Sequence, residues 1–395
     1  MTAGPASASR DLRALFLLDP GIVFLNHGSY GACPRPVFEE YQRWQRELER
    51  QPVEFLGRRA GPLLAGARRA LADYLRVAAD EVVYFPNPST AINMVARSLA
   101  LGPGDEVLAT DHEYGAMDRT WTLLCGKAGA RYVRHPMPLP MTTHEAFADR
   151  LWSAVTPRTR VIFLSHITSP TALAFPAAEI CRRARAAGIL SIVDGAHAPG
   201  QLDLDLTALG ADVYTGACHK WLCAPKGSAF LHARRAIQPR LEPLVVSWGW
   251  GNEAIPPRPG MGETPFISSH EWQGTRDLAA FLATPAAIRF QAEHDWPAVR
   301  RACRALAAET RKRIDALTGL EPLCPDSPEW FTQLVAARLP AGIDTDRVKA
   351  RLWDEFRVEV PLMRWNGLPL IRVSFQGYNS EADADALVKA LERCL

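Results

Sequence analysis

Gly188-Ile-Leu-Ser-Ile-Val-Asp194-Gly-Ala-His197 and, a short way on, Ala211-Asp-Val-Tyr-Thr-Gly-Ala-Cys-His-Lys220-Trp-Leu-Cys-Ala-Pro-Lys-Gly227 decide the fold. The first is a nearly continuous apolar run that ends in an acid. A run of that length, bounded by glycine, predicts a strand buried on both faces. An acid at its carboxyl end lies where open α/β sheets place their ligands. A carboxylate there is costly unless a cation meets it. Lys220 follows a second strand-like stretch, and its apolar setting favours a neutral, nucleophilic amine. The rival, Lys226, lies between Pro225 and Gly227 in what reads as a turn.

Outward from these runs the pattern repeats. Strands are expected at 81–85, 106–109, 131–133, 160–164, 189–193, 212–214 and 228–231, with helical spacers at 91–99 and through 121–124. Strands alternating with helices mean crossover units and a mostly parallel sheet in an α/β protein. Amphipathic helices are expected at about 36–50 and 62–75. From 245 to 275 the pattern breaks into a Gly- and Pro-rich loop, long enough to be functional rather than idle. A helix at 279–293 leads to a second unit: helix 297–318, strand 332–338, helix 344–356, strand 370–374 and a closing helix. The expected division is an N-terminal segment (1–24), a large domain (25–280) and a small C-terminal α+β domain (281–395), with residues 1–9 disordered.

A chain of 395 residues can bury a substantial core, and 48% hydrophobic with 22% charged residues is ordinary for a soluble enzyme. A formal net charge of +2 implies no polyanionic partner, so nucleic acid is not expected. The eight cysteines have no paired metal-ligand spacing, and several sit in apolar contexts that suit reduced thiols in a cytoplasm. The apolar stretch Ala14–Leu18 is too short for a signal peptide, and no window approaches a membrane span. No metal is expected.

Four loops, each after a separate strand, offer polar groups. Ser89 and Thr90 stand at the start of a helix, where free amides and hydroxyls suit a phosphate, though Ser89 also suits a simple N-cap. His112 lies where an imidazole can stack on a planar ring or merely bond to backbone. Ser165, Thr168, Ser169 and Thr171 bring hydroxyls, or ordinary turn chemistry. Asp194 can hold a protonated ring nitrogen or cap a helix, and His197 can donate to a ring hydroxyl. Together with Lys220, these groups suit one phosphorylated aromatic aldehyde, pyridoxal 5'-phosphate (PLP).

The motifs LNHGSYG (25–31), TDHEYGAMDRTW (110–121), SHITSPTALAFP (165–176), VDGAHAPGQ (193–201), ACHKWLCAPKG (217–227), QGTRD (273–277) and IRVSFQGYN (371–379) resemble the class V aminotransferases, fold-type I PLP enzymes, and most closely their isopenicillin N epimerase-like branch. The resemblance implies that Lys220 forms the Schiff base, Asp194 pairs with the pyridine nitrogen and His112 stacks on the ring. It places His197 near the ring hydroxyl, where relatives carry glutamine, and Ser169 where many carry asparagine. Ser89, Thr90 and His219 would bind phosphate, and Thr275 would reach the neighbouring subunit's phosphate in a homodimer with shared sites. Arg372 would grip the substrate α-carboxylate, with Asn26, His27 and Tyr30 beside the substrate.

The chain also departs from the pattern. Ala217 replaces a hydroxyl residue, so a phosphate contact must come from elsewhere, with Thr215 the candidate. The segment 356–361 lacks the cysteine a desulfurase needs, and Cys324 lies in a different segment. The implied activity is epimerisation or racemisation at the α-carbon of an amino acid, with C–S β-elimination and transamination as alternatives. Inversion needs a second proton donor, for which Tyr30, Tyr114 and His27 are candidates.

Overall fold

The computed structural model describes residues 12–258 and 260–395. Residues 1–9, expected to be disordered, lie outside the described residues. The strands in chain order are β1 (Val23–Phe24), β2 (Val82–Phe85), β3 (Glu106–Thr110), β4 (Arg131–His135), β5 (Thr159–Ser165), β6 (Leu190–Asp194), β7 (Val213–Ala217), β8 (Ala229–Ala233), β9 (Leu334–Arg338), β10 (Val358–Glu359), β11 (Leu362–Trp365) and β12 (Leu368–Ser374).

Seven of them form one sheet in the order β2-β8-β7-β6-β5-β3-β4. The pairs β7/β6, β6/β5, β5/β3 and β3/β4 are parallel, and β8 runs against both its neighbours. Side chains alternate between two cores. Tyr84, Leu108, Ile162, Val193 and Phe230 point to one face, and Val83, Val107, Phe163, Ile192 and Leu231 to the other. A central strand with helices on both sides has no solvated face, which is why β6 and β7 read as unbroken apolar runs. The parallel strands end together, so Thr110, Ser165, Asp194 and the loop after Ala217 share one edge.

The C-terminal sheet, β11-β12-β9, is antiparallel. The sequence reading missed β11, although its hairpin turn is an Asn-Gly pair: Asn366 (φ 47°) and Gly367 (φ 81°) take the left-handed conformations that a two-residue turn requires. β1 pairs in parallel with β10, and Ser374 N–H donates to Leu25 O at 2.9 Å. The N-terminal segment therefore packs on the C-terminal part of the chain. The 245–275 loop contains a short helix, Pro265–Glu271, capped by Thr264 and too brief to show a helical period. Glu271 pairs with Arg68 at 2.8 Å, both buried, and so anchors the loop to the helix Ala60–Leu75.

Candidate active site

Lys220 is half-buried at the carboxyl edge of the sheet. Its Nζ lies 3.2 Å from His197 Nε2. Burial, and then the charge of Arg372, lower its pKa to about 8, against the opposing pull of Asp194. Close packing of backbone fixes the loop. A Cβ on Gly31 would lie 2.1 Å from His219 O, and one on Gly200 would lie 2.1 Å from Trp221 O. Both glycines have positive φ, at 71° and 90°, so only glycine serves at either position. Lys226 is committed elsewhere, its Nζ donating to Gly31 O at 2.9 Å.

Asp194 ends β6 and is buried. Ala196 N–H donates to its Oδ1 at 2.9 Å, and no other donor among the described residues reaches it. Burial raises its pKa, with the Lys220 charge opposing. Glu113, which the sequence reading passed over, lies behind it. It accepts from Thr110 Oγ1 at 2.6 Å, Ser165 N at 2.8 Å and Ser165 Oγ at 2.6 Å. Burial first, with the Asp194 charge adding, pushes Glu113 up to about 8.

Arg372 on β12 is 4% exposed and has no carboxylate partner among the described residues. Its Nη1 donates to Ser169 O (2.7 Å) and Ser169 Oγ (3.0 Å), its Nη2 donates to Ser29 Oγ (3.1 Å), and its Nε meets nothing. Burial lowers its pKa to about 10. Ser29, absent from the sequence reading, in turn donates to Asn26 Oδ1, while Asn26 Nδ2 donates to Glu359.

Several expected contacts take a different form. His27 is buried, with Nδ1 against Tyr378 Oη and Nε2 against Lys220 O, both at 3.0 Å, so it props the lysine loop and does not face a substrate. Asn26 is likewise committed and acts on Arg372 through Ser29. Thr90 turns both its amide and its hydroxyl to Asn87 Oδ1. Asn87, not Ser89, is the N-cap of Pro88–Ser98, which leaves Ser89 in the first turn. Thr215 Oγ1 donates to Phe230 O at 2.7 Å inside the sheet and cannot replace the missing hydroxyl at Ala217. Ser169 serves Arg372.

His112 has both ring nitrogens engaged, by Thr171 Oγ1 and Met137 O at 2.8 Å. Its ring packs 4.2 Å from Trp365 and is 0% exposed, so it shows no open face for a planar ligand. Two residues on, Tyr114 is half exposed and lies in the electrostatic neighbourhood of Arg372. Tyr30 is 76% exposed and Thr275 is exposed. His219 donates through Nδ1 to Ser228 O at 2.9 Å, with burial lowering its pKa to about 4. A nearby anion would favour its charged form and make Nε2 a donor.

The family model described as aminotransferase class-V matches residues 33–387. The chain belongs to the class V aminotransferase family. It is 40% identical to the isopenicillin N epimerase of Amycolatopsis lactamdurans, over 98% of each chain. It is 39% identical to that of Streptomyces clavuligerus, over 97% of each. Among solved structures it resembles the cystine C–S lyase C-DES bound to its reaction product cysteine persulfide (TM-score 0.80, 21% identity, 94% of this chain and 98% of that one). A second structure of that protein carries glycine covalently linked to its PLP cofactor (TM-score 0.82, 21% identity, 94% and 97%). The fold of this class V chain is therefore fold-type I of the PLP-dependent enzymes. No described helix is long and apolar enough to cross a membrane.

Proposed function

We propose that this protein is a PLP-dependent epimerase acting at the α-carbon of an amino acid, as the names of its relatives at about 40% identity suggest. The observation that carries the reading is Arg372: a buried guanidinium with no carboxylate partner, within the electrostatic reach of Lys220. Burying an unpaired cation is costly, and a substrate carboxylate is the natural counter-ion.

The residues fit PLP. Asp194, a buried residue, offers a carboxylate oxygen with no protein donor among the described residues, suited to a protonated ring nitrogen. Arg372, buried with no carboxylate partner among the described residues, favours an anionic group in the pocket. Ser89, in the first turn of its helix, and His219, with Nε2 free to donate when charged, are the groups we assign to the cofactor's phosphate. When bound, PLP supplies an electron sink for charge developing at Cα. Lys220 Nζ, poised near neutrality, takes the α-proton. Arg372, held by Ser169 and Ser29, fixes the carboxylate. Of the three candidate second donors, His27 is excluded by its contacts. Tyr114, near Arg372, is the best supported for returning a proton to Cα.

Cys324 is not suited to act as a desulfurase-type thiol. Cys324 is 4% exposed, bonded by Arg311, and raised to about 11 by burial. All eight cysteines are free, which supports the cytoplasmic reading. A homodimer with shared sites is supported by the exposed Thr275 and the exposed apolar residues Val246, Trp248 and Ile255 of the preceding loop.

In deuterated water the enzyme should return amino acid inverted at Cα and carrying deuterium, with no keto acid. Stoichiometric pyruvate from a cysteine-derived substrate, with no inversion of any amino acid tested, would replace the epimerase with a β-lyase. Dependence on an added keto acid would indicate a transaminase.

A further inference from the structure

Behind Lys220 the chain dictates where His197 carries its proton. Trp221 Nε1–H donates to His197 Nδ1 at 3.2 Å, and both side chains are buried, at 0% and 3% exposure. An indole nitrogen can only donate, so Nδ1 must present a lone pair. His197 is neutral, because burial and the charges of Lys220, Arg372 and His219 push its pKa far down. A neutral imidazole has one N–H, and with Nδ1 bare that proton is on Nε2. Nε2 is the atom 3.2 Å from Lys220 Nζ.

Neither partner can easily turn away. The carbonyl of Trp221 accepts from Gln291 Nε2 at 2.8 Å, and its ring packs on His27 at 4.9 Å. Gln201 Nε2 donates to His197 O at 2.7 Å, and Gln201 Oε1 is tied to Thr332 Oγ1 at 2.6 Å.

We propose that Trp221 is a positioning residue that locks His197 in its Nε2–H tautomer, making His197 a fixed N–H donor toward the Lys220 nitrogen and, once PLP is bound, toward the cofactor's phenolic oxygen. This rests on the PLP reading of the site. An N–H facing Nζ repels an ammonium and accommodates the lone pair of a free amine. The same N–H stabilises a phenolate. It thereby supplies what a glutamine amide would supply, but only while the indole holds the tautomer.

Two measurements test this, one with and one without the cofactor. In cofactor-free, full-length protein labelled with ¹⁵N-histidine, the His197 signals are identified by their loss in His197→Gln. They should report Nε2–H in the wild type and a shift toward Nδ1–H in Trp221→Phe. A wild-type His197 protonated on Nδ1 would overturn the proposal whether or not PLP is the cofactor. In PLP-loaded protein, Trp221→Phe should raise the midpoint of the visible-absorption pH titration by about one pH unit, as loss of one hydrogen bond to a phenolate implies. In a His197→Gln background, where the amide donates unaided, Trp221→Phe should leave the midpoint unchanged. Equal shifts in both backgrounds would show that Trp221 acts by packing alone and would overturn the proposal. A protein that takes up no PLP would refute the cofactor reading, while the NMR result would still decide the tautomer.

Discussion

Lys220→Ala should lower α-proton exchange by about 10³-fold or more, the upper part of the range for removing a positioned general base. No neighbour can replace the amine: His197 is held neutral with its Nδ1 occupied, and Lys226 is tied to Gly31 O. The fold should persist, because the loop is held by the close approaches at Gly31 and Gly200 and by the Gln291 bond to Trp221 O, none of which uses the lysine side chain. Exchange of the α-proton in deuterated water, measured beside the far-ultraviolet circular dichroism spectrum, checks both. A small amine such as methylamine should restore part of the exchange. Wild-type exchange in Lys220→Ala would remove the base from the scheme.

Arg372→Leu should lower kcat/KM for amino acids by about 10²–10³-fold, equivalent to about 3–4 kcal/mol for a lost charge-assisted, two-pronged contact. The loss should be far smaller for the corresponding amino-acid amides, which carry no carboxylate. Arg372→Lys should recover only part, since an ammonium cannot span Ser169, Ser29 and a planar carboxylate together. Steady-state kinetics on matched acid and amide pairs reads the difference. Equal losses on both would mean that Arg372 holds β12 in place and does not bind substrate.

The central sheet was legible because strands buried on both faces leave unbroken apolar runs, and β5, β6 and β7 lie within a residue or two of their expected limits at most ends. The same burial hid the direction of Arg372. Six of the seven residues of β12 are buried, so no inside–outside alternation marks the face it takes. Polar side chains in the loops were hardest to place, because Ser, Thr, Asn and His satisfy backbone as readily as ligands. Thr90 and Thr215 thus turned inward, and Asn87 took the cap that Ser89 had been offered. His27 sits in a seven-residue motif with Ser29, yet one braces the lysine loop and the other cradles Arg372. Nothing in their spacing separates those roles. Glu113 gave no signal beyond its place in the 110–121 motif, since its importance arises from the meeting of β3, β5 and β6 at one edge.

Borohydride reduction of the PLP-loaded protein, followed by peptide mapping, tests the central claim most directly. The pyridoxyl group should be found on Lys220, one per chain, and be absent from Lys226. A label on Lys226, or none on the peptide that spans Ala217–Gly227, would contradict the site described here.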